Sequence, residues 1–248
     1  MALPIEHVPS PNHGERAAGK PIDMIILHYT GMDSAERALR WLCDAESSVS
    51  SHYFIFEDGR VCQLVDESRR AWHAGQSSWD GETDINSRSV GIEVHNPGHE
   101  FGYQPFPEVQ IDATIALCRE IMARHPIPPE RVLAHSDVAP MRKDDPGELF
   151  PWQRLADAGV GVWVPPEPIT ISAAETTLRR GERGARVAEL RHELRRYGYG
   201  LGAGEDYDAI TEATVRAFQR HFRPERVDGA ADASTIKTLQ RLTALRQK

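Results

Sequence analysis

The sequence is poor in cysteine and has no long apolar run, and both absences exclude whole classes of protein. Its three cysteines, Cys43, Cys62 and Cys118, lie far apart among 248 residues and form no CxxC pair. This excludes a disulfide-stapled scaffold and a cysteine-rich zinc finger, and we interpret the three as small buried apolar residues. No apolar stretch is long enough to cross a bilayer, so we expect no transmembrane segment.

The first twenty residues also lack an apolar run of signal-peptide length. The sequence as given therefore predicts a cytoplasmic protein, whereas removal of a leader would make it periplasmic.

An excess of positive charge is also absent. The chain has 29 Lys and Arg against 37 Asp and Glu, a formal net charge of -8, which argues against nucleic acid as the main partner. The charge is unevenly divided, because residues 170–248 carry 15 Lys and Arg against 11 Asp and Glu. The formal charge is therefore +4 in that part and -12 in the residues before it. An anionic polymer would favour the C-terminal part.

What the chain does have is enough apolar sequence for a core. With 40% hydrophobic and 27% charged residues, it is typical of a globular protein, and its length predicts two domains. After Trp163 the segment VPPEPITIS has the proline content of a stiff linker. We therefore predict a first domain over 1–164, a linker over 165–175 and a smaller domain over 176–248.

Short apolar runs predict the strands of the first domain. Met24–Tyr29 and Ser89–Val94 are nearly continuous apolar segments, which is typical of buried strands. His52–Phe56 and Val61–Val65 flank an Asp-Gly pair, a strong hairpin signal, and we predict that they are antiparallel.

Helical patterns alternate with these strands. A DSAE segment at 33–36 resembles a capping box that begins a helix, and a second helix is predicted over Glu108–His125, where Pro126 ends it. Arg131–His135 is predicted as a further strand. Alternating strands and helices, interrupted by a hairpin, indicate an α/β domain with a mixed central β-sheet flanked by helices.

The C-terminal part has only helical periodicity. Apolar residues recur at helical spacing over Ala185–Arg196, Ile210–Phe222 and Ser234–Leu245, and turn sequences separate these segments. We predict a small three-helix domain.

Two histidines and a carboxylate form a candidate metal site. His28 and His135 each end a predicted strand of one sheet, and His135 is followed by a polar loop with Asp145. Two imidazoles and a carboxylate suit Zn²⁺ and leave a fourth position for water, as in catalytic sites. On spacing alone, a satisfied structural histidine is the commoner role for His28.

A hydrolytic site also needs a proton carrier and a group that stabilises an oxyanion. Glu93 stands inside an otherwise apolar strand, where a carboxylate is costly. Lys143 is two residues before Asp145, so both side chains would face one side of an extended loop. An exposed strand position and a solvated surface lysine are the alternative interpretations.

Six motifs in order carry a family resemblance. ILHYT, SSHYFI, AWHAG, SVGIE, AHSDVAP and RKDDPGELFPW together resemble the zinc-dependent N-acetylmuramoyl-L-alanine amidases, a family that includes T7-type phage lysozyme and the peptidoglycan recognition proteins. RRYGYG, FQRHFRPE and DGAADASTI resemble the peptidoglycan-binding-like helical domain of two-domain amidases from Gram-negative bacteria. The resemblance covers nearly the whole chain.

This resemblance implies a role for each candidate residue. His28, His135 and Asp145 occupy the positions of the zinc ligands, for one Zn²⁺ per chain. Glu93 occupies the position of the catalytic acid/base and Lys143 that of a lysine that stabilises the transition state. The implied substrate is peptidoglycan or a muropeptide, cleaved at the amide between the lactyl group of N-acetylmuramic acid and L-alanine.

Five further residues are candidate substrate contacts. His52, Trp72 and His73 lie in family motifs and are expected to touch substrate or support the site, with a core role as the alternative. Asn86 and Arg88, just before the Glu93 strand, are candidate polar contacts, with exposed loop positions as the alternative.

Some alternatives remain open at this stage. A tyrosine with a catalytic part in phage lysozyme has Ser51 in its place here, so that role is not carried over. A non-catalytic peptidoglycan recognition protein is the main competing function, and a cysteine peptidase is a weaker one. The C-terminal domain either grips glycan or only packs on the first domain. The sequence does not decide between intact peptidoglycan and 1,6-anhydro-muropeptides, nor the oligomeric state.

Overall fold

A computed structural model describes residues 3–169 and 177–246 of the chain. Its strands are β1 (Ile5–His7), β2 (His13–Glu15), β3 (Met24–Tyr29), β4 (Tyr53–Ile55), β5 (Val61–Gln63), β6 (Arg69–Ala71), β7 (Ser89–Val94) and β8 (Val132–Ala134). Its α-helices are α1 (Ala35–Leu42), α2 (Ile85–Arg88), α3 (Gly98–Phe101), α4 (Glu108–Arg124), α5 (His135–Val138), α6 (Trp152–Asp157), α7 (Ala185–Tyr197), α8 (Ala209–Phe222) and α9 (Ala233–Leu245). The predicted division into two domains stays a prediction, and residues 170–175 of the predicted linker lie outside the described residues.

The central sheet is mixed, as the sequence predicts. It has six strands in the order β1-β5-β4-β7-β3-β8, and β4 and β5 form its antiparallel pair, while the other neighbouring strands are parallel. The predicted Asp-Gly hairpin is thereby confirmed. Gly59 in its turn has a φ of 84°, a left-handed conformation that glycine adopts without strain. A second, two-stranded sheet pairs β2 with β6.

Two neighbouring interior strands of the sheet, β3 and β7, carry the candidate site at their carboxyl ends. Met24 through Leu27 of β3 are fully buried, because helices cover both faces of the parallel part of the sheet. β3 and β7 are parallel neighbours, and their register sets His28 opposite Glu93. Both bounds predicted for these two strands are confirmed.

Other predicted bounds need correction. The strand predicted over Arg131–His135 ends at Ala134, and His135 is the first residue of α5. The strand stops there because the Asp137 carboxylate accepts a hydrogen bond from the Ala134 N–H at 2.9 Å and so begins a helical turn. At α1 the N-cap is Ser34, whose hydroxyl accepts from the Arg37 N–H.

The three predicted C-terminal helices are confirmed as α7, α8 and α9. They share one apolar core with the sheet: Ile26 and Leu133 from the strands belong to the same buried cluster as Tyr197 and Phe222 from the helices. Trp79 lies within this cluster and is fully buried. The helical part is therefore packed against the sheet; whether it also binds glycan is a separate question.

The cysteines agree with their interpretation as ordinary side chains. All three are free, Cys62 and Cys118 are buried, and Cys43 is half-buried. Burial raises the pKa of the Cys118 thiol to about 12, which leaves it a poor nucleophile. Among the described residues, no helix is both long and apolar enough to cross a membrane.

Candidate active site

Three predicted ligands converge at the carboxyl end of the sheet. His28 Nδ1 and His135 Nδ1 are 2.9 Å apart, and the Asp145 Oδ2 atom lies 3.1 Å from the first and 3.0 Å from the second. A tetrahedral zinc ion with bonds of about 2.0–2.1 Å spaces its ligand atoms roughly 3.3 Å apart. The three side chains are buried, and their donor atoms have the spacing that a single metal ion requires.

Each ligand is fixed by a different element. His28 belongs to β3, and His135 starts α5 directly after β8. Asp145 lies in the loop after α5, where its carbonyl oxygen accepts a hydrogen bond from the Ser136 N–H at 3.0 Å. This bond ties the loop to the helical turn that carries His135, so the two ligands form one local unit.

Hydrogen bonds around His28 leave its Nδ1 atom free for a metal. The Ser89 hydroxyl donates to the Ile85 carbonyl oxygen at 2.7 Å, so its oxygen accepts from His73 Nε2 at 3.1 Å. His73 Nδ1 is then an acceptor, and the His28 Nε2–H group donates a hydrogen bond to it at 3.0 Å. The Nδ1 atom of His28 therefore has a lone pair directed at the other ligands.

The surroundings of the ligands also suit a bound cation. His135 Nε2 donates to the Ala74 carbonyl oxygen at 3.1 Å, so Nδ1 is the ring nitrogen that faces the other two ligands. Burial lowers the pKa of His28 to about 4, so this imidazole is neutral near pH 7. Burial raises the pKa of the Asp145 carboxyl, but His135 outweighs this and holds that pKa well below its usual range. Two imidazoles and a carboxylate are a ligand set that fits Zn²⁺.

A cavity of about 300 Å³ opens above these ligands. Its polar lining includes Glu93 and Lys143 beside the three ligands. Its aromatic lining includes Trp41 on α1, which is 48% exposed, and Trp72. A cavity lined by metal-binding, polar and aromatic side chains can hold a substrate that has both polar groups and an apolar face.

Glu93 points into this cavity from the strand next to His28. The side chain is half-buried, yet its Oε2 atom is buried and has no hydrogen-bond partner among the described residues. Burial raises the pKa of the Glu93 carboxyl well above its usual value, and the Asp145 carboxylate raises it further. An unpartnered buried carboxyl group is costly to the fold and is typical of a group that exchanges protons with a substrate.

Lys143 lies on the loop between the two C-terminal ligands. It lines the same cavity as Asp145, as the sequence predicts, and within the described part of the chain no carboxylate forms an ion pair with its ammonium. A partly buried, unpaired cation beside a metal site is suited to binding developing negative charge.

The candidate substrate contacts divide into two groups. Trp72 and His73 line the cavity, although His73 is mainly a support for His28. His52 needs correction: it is fully buried, its Nδ1 accepts from the Gly91 N–H at 2.9 Å, and its Nε2 lies 2.9 Å from Arg16. It holds the N-terminal segment to β7 and does not line the cavity.

Asn86 and Arg88 also need correction. The Asn86 side-chain oxygen accepts from the backbone N–H groups of His73 and Ala74, at 3.2 and 2.8 Å, and so shapes the loop beneath the cavity. Arg88 precedes β7 at the end of the strand remote from Glu93. It forms ion pairs with Asp23 and Glu82, and neither Asn86 nor Arg88 lines the cavity.

Of the two tryptophans that line the cavity, Trp72 was a candidate contact in the sequence, and Trp41 was missed. In the helical pattern that follows Ser34, Trp41 is one more apolar position of α1. Its exposure beside the ligands depends on how α1 packs on the sheet. The only sequence signal that Trp41 lies near the site is that α1 directly follows the His28 strand.

Two family models match the chain. The model described as N-acetylmuramoyl-L-alanine amidase matches residues 18–148, which include the three ligands, Glu93 and Lys143. A second model, described as "Putative peptidoglycan binding domain", matches residues 183–239, which cover α7, α8 and part of α9.

Curated and solved relatives agree with these matches. The chain is 40% identical over 232 residues to N-acetylmuramoyl-L-alanine amidase AmiD of Escherichia coli (strain K12), covering 89% of this chain and 82% of AmiD. It is 30% identical over 166 residues to 1,6-anhydro-N-acetylmuramyl-L-alanine amidase AmpD of Enterobacter cloacae, covering 60% of this chain and 87% of AmpD.

Among solved structures, AmiD from E. coli in complex with the substrate anhydro-N-acetylmuramic acid-L-Ala-D-gamma-Glu-L-Lys superposes with a TM-score of 0.76 at 38% identity, over 93% of this chain and 92% of that one. AmpDh3 from Pseudomonas aeruginosa in complex with anhydromuramic pentapeptide gives a TM-score of 0.75 at 31% identity, over 96% and 98%. The family match over residues 18–148 and the 40% identity to AmiD over 89% of the chain show that the chain belongs to the N-acetylmuramoyl-L-alanine amidase family.

Proposed function

We propose that this amidase uses zinc to hydrolyse the amide between the lactyl group of N-acetylmuramic acid and L-alanine in peptidoglycan or muropeptides. The observation that carries the proposal is the convergence of three metal-binding atoms, each within 3.1 Å of the others, on the floor of a cavity that also contains Glu93 and Lys143. The family and the relatives support the substrate class.

His28, His135 and Asp145 would hold one Zn²⁺ per chain. Zinc at this position would polarise the carbonyl group of the scissile amide and lower the pKa of a water molecule. The burial of all three side chains keeps bulk water from competing with them, and the hydrogen bonds to His28 and His135 fix the ring nitrogens that face the metal.

Glu93 is proposed as the acid/base group. As a carboxylate it accepts a proton from the attacking water, and as a carboxylic acid it delivers that proton to the leaving nitrogen of L-alanine. Its raised pKa suits both steps, because a carboxyl group with a pKa nearer neutrality is a stronger base when ionised and keeps its proton long enough to pass it on.

Lys143 is proposed to stabilise the oxyanion that forms on the lactyl carbonyl. It lies on the same loop as Asp145 and lines the same cavity, so its ammonium can reach an oxygen beside the metal. Removing one such donor typically costs about 10²–10³ in kcat.

The main alternative is a protein of this fold that binds peptidoglycan without cleaving it. The chain retains all three candidate ligands together with Glu93 and Lys143, and this set favours hydrolysis. We expect the purified protein to contain one zinc per chain and to release a stem peptide with a free L-alanine amino terminus from a muropeptide. Chelation should abolish the release and added zinc should restore it; a chain that binds muropeptide but holds no zinc and releases no peptide would support the alternative.

The same assay addresses the form of the substrate. AmiD and AmpDh3 were both solved with anhydro-muramic peptides, which supports a 1,6-anhydro-muropeptide as one substrate, whereas the C-terminal family match supports intact wall. Comparing rates on anhydro-muropeptides and on intact sacculi separates the two. The cytoplasmic location expected from the sequence, and its periplasmic alternative, stay predictions.

His73 provides a test of the proposed metal chemistry that does not depend on turnover. Replacing it with phenylalanine keeps an aromatic ring in place but removes the acceptor for His28 Nε2, so His28 is no longer held with Nδ1 facing the metal. We expect zinc affinity to fall about 10–100-fold, measured by competition with a chromogenic chelator. The matched control is His99→Phe, because the His99 imidazole bonds Tyr29 and Glu148 and touches no candidate ligand. Equal zinc affinity in both variants would contradict the role of His73.

A further inference from the structure

A buried carboxylate connects the metal-ligand segment to the C-terminal helices. Asp137 is two residues after His135 on the same helical turn and is 1% exposed. Its Oδ1 atom accepts a hydrogen bond from the Tyr199 hydroxyl at 2.7 Å, and its Oδ2 atom accepts from His221 Nδ1 at 2.7 Å as well as from the Ala134 N–H. Two of these three donors come from the C-terminal part of the chain.

The conformation at His135 therefore depends on groups outside the catalytic sheet. A buried carboxylate without partners is strongly unfavourable, so Asp137 stays in place only while its donors are present. His221 is itself held rigidly, because its ring stacks between Trp152, with ring centroids 3.7 Å apart, and Phe222, at 3.8 Å. The carboxylate in turn fixes the backbone N–H that immediately precedes His135.

The other end of the segment has a contact with the same helix. Arg220, the neighbour of His221 on α8, places its Nη2 atom 2.7 Å from the Asp144 carboxylate. Asp144 stands between Lys143 and the ligand Asp145. Two consecutive residues of α8 thus reach both ends of the segment from 135 to 145.

We infer that the C-terminal part of the chain acts as a brace that positions the metal ligands, with Tyr199, which follows α7, and Arg220 and His221 of α8 as positioning residues. The brace is defined as the contacts of these three side chains with Asp137 and Asp144. It sets the direction of His135 Nδ1 and Asp145 Oδ2 toward His28. This role is distinct from binding glycan, and it rests on the proposed metal site.

The competing explanation is that these bonds only fasten two parts of the chain together. Fastening contacts also occur away from the ligands: Arg246 on the C-terminal side pairs with Asp80 at 2.7 Å. A fastening role predicts equal effects on the metal site from either set of contacts, whereas a brace predicts an effect only from contacts to Asp137 and Asp144.

Two tyrosine-to-phenylalanine variants separate these explanations. Tyr199→Phe removes the hydroxyl that bonds Asp137. Tyr207→Phe is the matched control, because the buried Tyr207 hydroxyl donates to the Gly229 carbonyl oxygen at 2.7 Å within the C-terminal part. We expect similar decreases in Tm for both variants, but an approximately tenfold loss of zinc affinity and a changed visible absorption spectrum of the Co²⁺-substituted protein only for Tyr199→Phe.

Further variants complete the test. Arg246→Ala should leave zinc affinity at the wild-type value, while Arg220→Ala should lower it and Arg220→Lys should recover most of it. Wild-type zinc binding together with unchanged affinity and Co²⁺ spectrum in Tyr199→Phe and Arg220→Ala would overturn the brace alone. A wild-type chain that binds no zinc would overturn the proposed metal site and the brace with it, so the two failures are distinguishable.

Discussion

Replacing Glu93 with glutamine is expected to lower kcat about 10²–10⁴-fold, the range for loss of a general acid/base. Glutamine has nearly the same size and fills the same position beside His28, but it neither accepts the proton of the attacking water nor donates one to the leaving nitrogen. Because Glu93 is not one of the three converging ligands, zinc content should stay at one per chain. The measurements are the release of stem peptide under saturating substrate and the metal content of the same sample.

The matched control for this variant is Glu57→Gln. Glu57 lies at the turn between β4 and β5, where its exposed carboxylate pairs with His95 at 3.2 Å, and its replacement should leave kcat within about twofold, as is usual for a surface change. A Glu93→Gln protein that retains wild-type kcat with zinc bound would remove Glu93 from the mechanism. Loss of zinc along with activity would instead assign it to the metal site.

The centre of the fold and half of the site were predictable for one physical reason. A strand that is buried on both faces is made almost entirely of apolar residues, so β3 and β7 can be recognised in the sequence as nearly continuous apolar runs. A charged or titratable residue near the end of such a run is then easily identified as a candidate functional residue. His28 and Glu93 are these residues. Because they are paired in register on adjacent parallel strands, the two residues belong to the same site.

The roles of the other candidate residues depend on contacts between distant parts of the chain. Arg88 is only five residues before Glu93 in sequence, but β7 is extended between them, and at about 3.3 Å per residue this places the two roughly 16 Å apart. His52 lies in a family motif, yet its environment is set by Arg16, which no local pattern connects to it. Side chains whose partners are dozens of residues away give no periodic signal, and for that reason their roles required the structure.

The hydrogen-bond partners of Asp137 are among the contacts that no local sequence pattern could predict. Tyr199 and His221 are 62 and 84 residues from Asp137, and nothing in the sequence around either residue distinguishes it from a residue of a separate domain. Their contacts, together with the apolar core shared by the sheet and α7 to α9, affect how the role of the C-terminal helical part should be tested. Deleting this part would expose core residues and release Asp137, so a loss of wall binding or of activity in the truncated chain would have several causes. Point variants avoid this ambiguity.

Replacing Asp145 with asparagine is expected to remove zinc. The amide keeps the shape of the side chain, but it has no negative charge and is a weak ligand for Zn²⁺ compared with a carboxylate, which leaves two imidazoles to hold the ion. We expect zinc affinity to fall by more than about 100-fold, beyond the range for groups that only orient a ligand, and peptide release to fall to background at micromolar zinc.

Thermal unfolding gives a second measure of the same change. A ligand that binds only the folded chain stabilises it by about 4 kcal/mol at a thousand times its Kd, so zinc should raise the Tm of the metal-depleted wild type and leave that of Asp145→Asn nearly unchanged. Asp112→Asn is the matched control: it makes the same change at an exposed side chain of α4 that pairs with Arg154 at 2.6 Å, away from the ligands and from the contacts of the brace, and it should still reach one zinc per chain and gain Tm on zinc addition. If zinc stabilised Asp145→Asn as much as the wild type, Asp145 would not be a ligand. The ion would then be held at a site other than the one formed by His28, His135 and Asp145.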